Sequence, residues 1–472
     1  MLPANISHQA GWPSGGGGMC PGSNALAMLA SLWLSGPKPN TAGRGLHAPR
    51  PLPAAQRGDR ITRSPQGSAR MLGRWMDYTR QMGPAWIVSA VACGPATLAS
   101  VVIAGASFGY QMLWVVVLSA VFGTTAQYLA ARVGILEGRG IIAATQERLG
   151  RGWAWLLAVD AVLATYLAAM VLMNALVGVT SLITGIASPW WGLAYAALLS
   201  AALLHGGYRW FENICKGLVL LVVACFIATA WQADISWGRV VAGLMPNLPG
   251  GVQPALMAAA IMGGAVHITI IGMHTYNTNA RGWKESQLPL ARFDTVASMG
   301  LAFGAYSLAI FLVGAALLHP AGVLVKGPAD VLPSLRPLLG GAALGVFLAG
   351  LWAATFSTIM PTYLAAAYFI FDKMGWPAQR TSARFRLVVM GGVLLSALGP
   401  FIKGGFFLLL PVMLALGLCG TPLIIAIILY LLNQRRFYGG RSNSWPLNLL
   451  GAATLVITSL LAARFLLSIL GW

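Results

Sequence analysis

Acidic residues are what this chain has least of. Eleven Asp and Glu stand against 30 Lys and Arg in 472 residues, and charged residues of both signs make up only 9%. A water-soluble domain carries roughly 25%, so charge this sparse excludes an ordinary soluble enzyme. Cysteine is scarce as well. Cys20, Cys93, Cys215, Cys225 and Cys419 form no CxxC pair and share no zinc-type spacing with histidine, which argues against a disulfide framework or a structural zinc site. Those in apolar stretches act as small hydrophobes. No Ser-His-Asp set has a side open to water. The glycine run at 15–18 follows no strand and lacks the Lys-Ser/Thr of a phosphate loop. The chain is therefore expected to be no enzyme and to need no cofactor.

What is present is apolar length. Hydrophobic residues make up 57% of the chain, and many stretches run about 20 residues without a charge, enough to cross a hydrocarbon layer roughly 30 Å thick. Eleven such segments are predicted, at 82–109, 111–133, 154–186, 190–205, 212–231, 252–280, 295–318, 339–371, 386–402, 405–432 and 446–468. The expected fold class is all-α and integral to a membrane. Residues 1–70 differ: they are rich in Gly, Pro, Ser and Arg, and their one apolar patch, 25–34, precedes the first positive charge, Lys38. That order is the reverse of a signal peptide. The segment is predicted to be a disordered tail, with an extension upstream of a natural start at Met71 as the alternative reading.

The surplus of 30 Lys and Arg suits nucleic-acid binding only if it gathers on one domain face, and here it lies in short loops between apolar segments, so no nucleic-acid partner is expected. The lipid bilayer and a small ion or solute are the expected partners; the oligomeric state stays open. Nine Lys and Arg precede the first span, sixteen lie in loops on the same side, and five lie opposite, so 25 of 30 share a face. By the positive-inside rule that face is cytoplasmic. The expectation is a multi-pass protein of the cell (plasma, or inner) membrane with its N-terminus inside and its C-terminus outside.

Two spans are interrupted. The first contains CGPATLAS at 93–100, where Pro95 removes a backbone donor and Gly94 adds freedom. A proline alone means no more than a repaired kink. The sixth span carries Gly263-Gly264, His267 and His274, and ends in Asn277 and Asn279. Interruptions at corresponding places, one and six of a ten-helix core, point to a binding site between two inverted halves, because unwound backbone exposes carbonyls at membrane depth.

The segment 82–114 followed by TAQYLAARVGILEGRGI, together with WLLAVDAVLATYLAAMV, FSTIMPTYLAAAYFI and LALGLCGTPLIIAIILYLLNQRR, resembles the natural resistance-associated macrophage protein (Nramp) family. The likeness covers about 82–435, and 446–468 adds an eleventh span. The resemblance implies the LeuT-like fold of two inverted five-helix repeats, and transport of divalent transition metals, usually with protons.

The departures fall on the implied site. Where the family has DPGN in its first helix, with Asp and Asn on the metal, this chain reads Gly94-Pro95-Ala96-Thr97. The carboxylate is gone and Thr97 stands for the Asn. Against the family's sixth-helix MPH, an ungapped match puts His267 at the Met, Ile268 at the Pro and Thr269 at the His; a gapped match keeps His267 on the motif His. The ungapped register is preferred, since it also places His274 on a second family His. Helix-three carboxylates of the proton route are replaced by Tyr166 and Ala169. The expected binding residues are thus Gly94, Thr97, Gly264 and His267, with His267 and Thr97 as metal ligands. Asp160, Thr269 and His274 are the candidates for moving protons. An intramembrane carboxylate such as Asp160 is a functional candidate by default, against a structural acceptor or an ion pair with Arg148 or Arg151. His267 suits later transition metals, against a buried imidazole bonded to a carbonyl. Two substrate classes remain open: a divalent ion moved into the cytoplasm, or an anion or small organic solute in a non-metal pocket. A non-transporting sensor is the third reading, disfavoured by the two helix breaks.

Overall fold

Proline and glycine punctuate a chain that is otherwise helical. In the computed structural model, Tyr78, residues 81–205 and 209–471 are described, and the tail expected over 1–70 lies outside them. In chain order the helices are α1 (Pro84–Ala92), α2 (Pro95–Phe108), α3 (Leu113–Glu137), α4 (Ile141–Leu149), α5 (Arg151–Thr184), α6 (Trp191–His205), α7 (Arg209–Gln232), α8 (Trp237–Gly243), α9 (Val252–Val266), α10 (Ile268–Ala280), α11 (Leu288–Thr295), α12 (Gly304–Val313), α13 (Leu332–Leu339), α14 (Ala343–Met374), α15 (Ala383–Ser396), α16 (Phe406–Cys419), α17 (Thr421–Leu432), α18 (Arg435–Tyr438) and α19 (Trp445–Ile469). Wider-wound π turns, Val296–Phe303 and Gly314–Leu318, flank α12. Among the described residues there is no strand.

Each of the eleven predicted segments falls on a helix or helix pair. By length and composition, however, eight helical runs among the described residues can cross a membrane, or nine if the pair 217–232 and 237–243, bent by 116°, is one span. The difference from eleven has two visible sources. Pro95–Glu137 is one continuous run that joins the second half of the first segment to the second segment, and Trp191–Leu204 is too short to qualify.

The outward faces carry large apolar side chains, as lipid contact requires: Leu163, Leu182, Leu301 and Leu460 are all more than half exposed. Exposed Trp153, Trp155, Trp190, Trp231, Trp237 and Trp445 sit at helix ends, the places where indole rings favour the membrane–water interface. Inside, α5 lies along α14, and α9 is enclosed by α16, α3 and α2. The most apolar stretch of 252–280 is 94% buried. That burial makes α9 and α10 the interior of the bundle.

The short first helix is held at its start. Asp294, fully buried at the end of α11, accepts the Gly83 N–H at 3.3 Å and the Ala85 N–H at 2.9 Å. These are free donors of the first turn of α1, where the helix dipole favours a carboxylate. Ser89 donates to the Ser298 carbonyl at 2.9 Å. We expect Asp294→Ala to leave buried N–H groups unmet at a cost of about 1–3 kcal/mol, seen as a melting midpoint several degrees lower in detergent. An unchanged midpoint contradicts this anchoring role.

Candidate functional site

Both interruptions are real breaks, and they face each other. Helix α1 ends at Ala92, and Gly94 is extended (φ −72°, ψ −178°). Pro95 then opens α2 at the first helical position, where its fixed φ fits and its missing N–H costs nothing. In the sixth segment a single extended residue, His267 (φ −60°, ψ 135°), separates α9 from α10. Gly263 and Gly264 both remain helical within α9, so the interruption lies at the histidine itself.

A cavity of about 40 Å³ lies between the breaks. All four expected binding residues, Gly94, Thr97, Gly264 and His267, line it, and so does Thr269. The approach is close: a Cβ on Gly264 would lie 2.6 Å from Thr97 Oγ1, and one on Gly417 of α16 would overlap the His267 ring. Among the lining residues that escaped the sequence reading are Thr358 and Thr362 from α14, and Met413 from α16. The threonines stand four apart on one helix face, a signal the sequence did hold. Met413 sits in a helix with no polar pattern and gave none.

The hydroxyls on α14 are oriented by their own helix. Thr358 donates to the Ala354 carbonyl at 2.7 Å, and Thr362 donates to the Thr358 carbonyl at 2.9 Å. With their protons so committed, only oxygen lone pairs are left to offer. The carbonyls that end α9 have lost their i+4 donors at the break; that of Val266 accepts instead from Thr421.

His267 is buried, and its Nδ1 accepts the Thr269 N–H at 3.2 Å, capping α10. An accepting Nδ1 puts the proton of neutral imidazole on Nε2. Nε2 has no hydrogen-bond partner of good geometry, although the Met413 backbone lies beside it. In this arrangement the Nε2 edge of the ring packs against Gly417 of α16. Metal binding through Nε2 requires the proton to move to Nδ1, and the cap on α10 is then released.

The three proton candidates separate. Thr269 lies in the cavity and its hydroxyl meets that of Thr165 on α5 at 2.8 Å. His274 lies outside the cavity lining, fully buried, with Nδ1 3.1 Å from Gln127 Oε1 of α3. Asp160 also lies outside it. Its half-buried carboxylate rests where a Cβ on Gly420 would sit, at the junction of α16 and α17. The ion pair considered for it with Arg148 is not made; Arg148 faces Glu137 at 3.7 Å and Glu147 at 3.9 Å. Among the described residues, no three His, Cys, Asp or Glu side chains gather as a metal cluster.

Two opposed helix breaks around one buried cavity define a polytopic membrane protein of the LeuT-like, broken-helix transporter class. Solved structures agree on the fold. A manganese transporter of Eremococcus coleocola superposes with a TM-score of 0.65 at 17% identity, over 82% of this chain and 86% of that one. Mhp1, a nucleobase-cation-symport-1 family transporter, gives 0.54 at 17% identity, over 82% and 92%. The chain belongs to the Nramp family: the profile described as natural resistance-associated macrophage protein-like matches residues 85–468. Curated relatives include the divalent metal cation transporter MntH 1 of Pseudomonas aeruginosa, 33% identical over 57% of this chain and 63% of its own length. MntH of Yersinia pestis is 33% identical over 62% of this chain and 75% of its own length.

Proposed function

We propose that this chain is a secondary transporter that moves a divalent transition-metal ion into the cytoplasm through the cavity between the two breaks. The observation that carries the reading is the cavity's size and lining. About 40 Å³ has room for roughly three waters, which suits an ion with part of its hydration and is too small for a nucleobase or an amino acid. Lone pairs of Thr358 and Thr362 and free α9 carbonyls favour a cation. His267 and Met413 add donors that later transition metals accept and hard ions do not. Relatives bearing the name divalent metal cation transporter support the same class. Mn²⁺ uptake into proteoliposomes, with His267→Ala as control, tests it.

One observation favours a second reading. No carboxylate lines the cavity to repel an anion, and neutral His267, protonated at Nε2, is a donor among the lining residues. An anion of that size would bind without releasing the cap on α10. Uptake of a small anion with no metal uptake would establish this reading in place of the first.

Orientation follows from the cationic loops. We expect tags at residue 1 and within 281–292 to be cytoplasmic, and a tag after Trp472 to lie on the other face. A C-terminal reporter active only in the cytoplasm contradicts the eleven-span topology. Proton coupling should be weak, because Tyr166 and Ala169 occupy the places where the family resemblance implies carboxylates. Metal-driven acidification of the vesicle interior is expected to be slight. Strong acidification that survives both Asp160→Asn and His274→Ala contradicts this.

A further inference from the structure

A second cavity, which shares no lining residue with the one between the breaks, lies on the arginine-rich face. It measures about 360 Å³ and is lined by Glu147, Arg148, Tyr430, Gln434, Arg435, Arg436 and Phe437. It sits where α17 leaves the membrane, beside the short helix α4, with α18 as its rim.

The charges are unevenly matched. Glu147, the one carboxylate in the lining, is bonded to Arg139 and lies 3.9 Å from Arg148. Arg148 also faces Glu137 at 3.7 Å and stacks its guanidinium over the Phe437 ring at 3.5 Å. Arg435 and Arg436 have no carboxylate partner among the described residues, and both are exposed. The cavity therefore keeps two uncompensated guanidinium groups and a third held on an aromatic face. Gln434 and the Tyr430 hydroxyl add neutral donors.

The position decides what the cations meet. Tyr430 and Phe437 are each nearly half exposed, and Trp445, at the start of α19, is 76% exposed. Leu449 and Leu450 follow on α19, also exposed. Amphipathic rings above exposed leucines mark the level of the lipid headgroups. A guanidinium fork matches phosphate oxygens in pairs, and basic pockets between spanning helices on the cytoplasmic side suit anionic headgroups.

We propose that this cavity binds the phosphate of an anionic phospholipid headgroup in the leaflet on the arginine-rich face, its acyl chains lying against α17 and α19. The site depends on the arrangement of these helices and not on the identity of the transported ion.

The test uses full-length protein in detergent. Binding of phosphatidylglycerol, phosphatidylcholine and inorganic phosphate is followed by thermal shift and native mass spectrometry. Phosphatidylglycerol should bind and raise the melting midpoint, and phosphatidylcholine should do neither. Arg435→Gln with Arg436→Gln should weaken phosphatidylglycerol roughly tenfold to thirtyfold, at about 1 kcal/mol for each arginine. The pair Lys326→Gln, in a loop, and Arg336→Gln, on α13, both expected on the opposite face, should leave lipid binding as it was. Both variants should keep the native melting midpoint without lipid, which separates a lost site from a lost fold. Phosphatidylglycerol bound equally by native and Arg435/Arg436 proteins overturns the proposal. So does inorganic phosphate that displaces the lipid at equal concentration, which would make this a free-anion site.

Discussion

His267→Ala is expected to abolish metal binding, and with it uptake. No other nitrogen ligand lines the cavity, and no cluster of three His, Cys, Asp or Glu exists among the described residues to replace it. Threonine oxygens, carbonyls and one thioether do not on their own repay the dehydration of a divalent transition ion. The substitution also removes the side chain that caps α10, at about 1 kcal/mol of local stability. A fall in melting midpoint alone, with binding kept, would mean that the imidazole serves as a cap and not as a ligand. The cap gives His267 a second consequence. An ion on Nε2 forces the ring proton to Nδ1 and breaks the bond to the Thr269 N–H. Occupancy thereby loosens the start of α10, one half of a broken helix, and so biases the element that such a carrier must move. Lower pH should weaken metal binding, since protons and metal compete for the same imidazole.

The second large effect is a gain. Restoring the family's residues with Gly94→Asp plus Thr97→Asn adds a full negative charge beside the ion, where one charge is worth several kcal/mol before desolvation. Mn²⁺ affinity should rise by tenfold to a hundredfold in calorimetry. The local geometry limits the gain: a Cβ at Gly94 would lie 2.8 Å from the Val91 carbonyl oxygen and 3.1 Å from Thr358 Oγ1, so the break must open by a few tenths of an ångström. Gly94 itself needs no left-handed conformation (φ −72°), so aspartate is not barred by the backbone. A double variant that folds normally and binds Mn²⁺ no better than the native chain contradicts a metal position beside Thr97.

Much of this was legible in the sequence because membranes make composition speak plainly. Long uncharged runs placed each helical segment, and Pro95 marked the first break. The second break was legible only as a region. Gly263 and Gly264 invited the interruption, yet a glycine pair inside a tightly enclosed helix serves close approach, and a Cβ at Gly263 would strike the Leu414 carbonyl oxygen. The chain leaves the helix at His267 instead, where a side-chain nitrogen takes over the cap. Thr97, Gly264 and His267 could be named because the family motif fixed their places. Met413 could not, since an apolar helix such as α16 carries no periodic signal for which residue turns inward. Asp160 and His274 were marked on a different ground, and both lie outside the cavity lining. Rarity in a membrane marked them; one packs at the α16–α17 junction and the other meets Gln127 of α3.

Calorimetry of the purified full chain with Mn²⁺, Co²⁺ and Zn²⁺, run on the native protein, His267→Ala and the Gly94→Asp plus Thr97→Asn variant, tests metal carriage most directly. Saturable binding to the native chain, lost in the first variant and tightened in the second, is the expected result. If neither the native chain nor the double variant binds any of these ions, the cavity is not a metal site, and the anion reading replaces it.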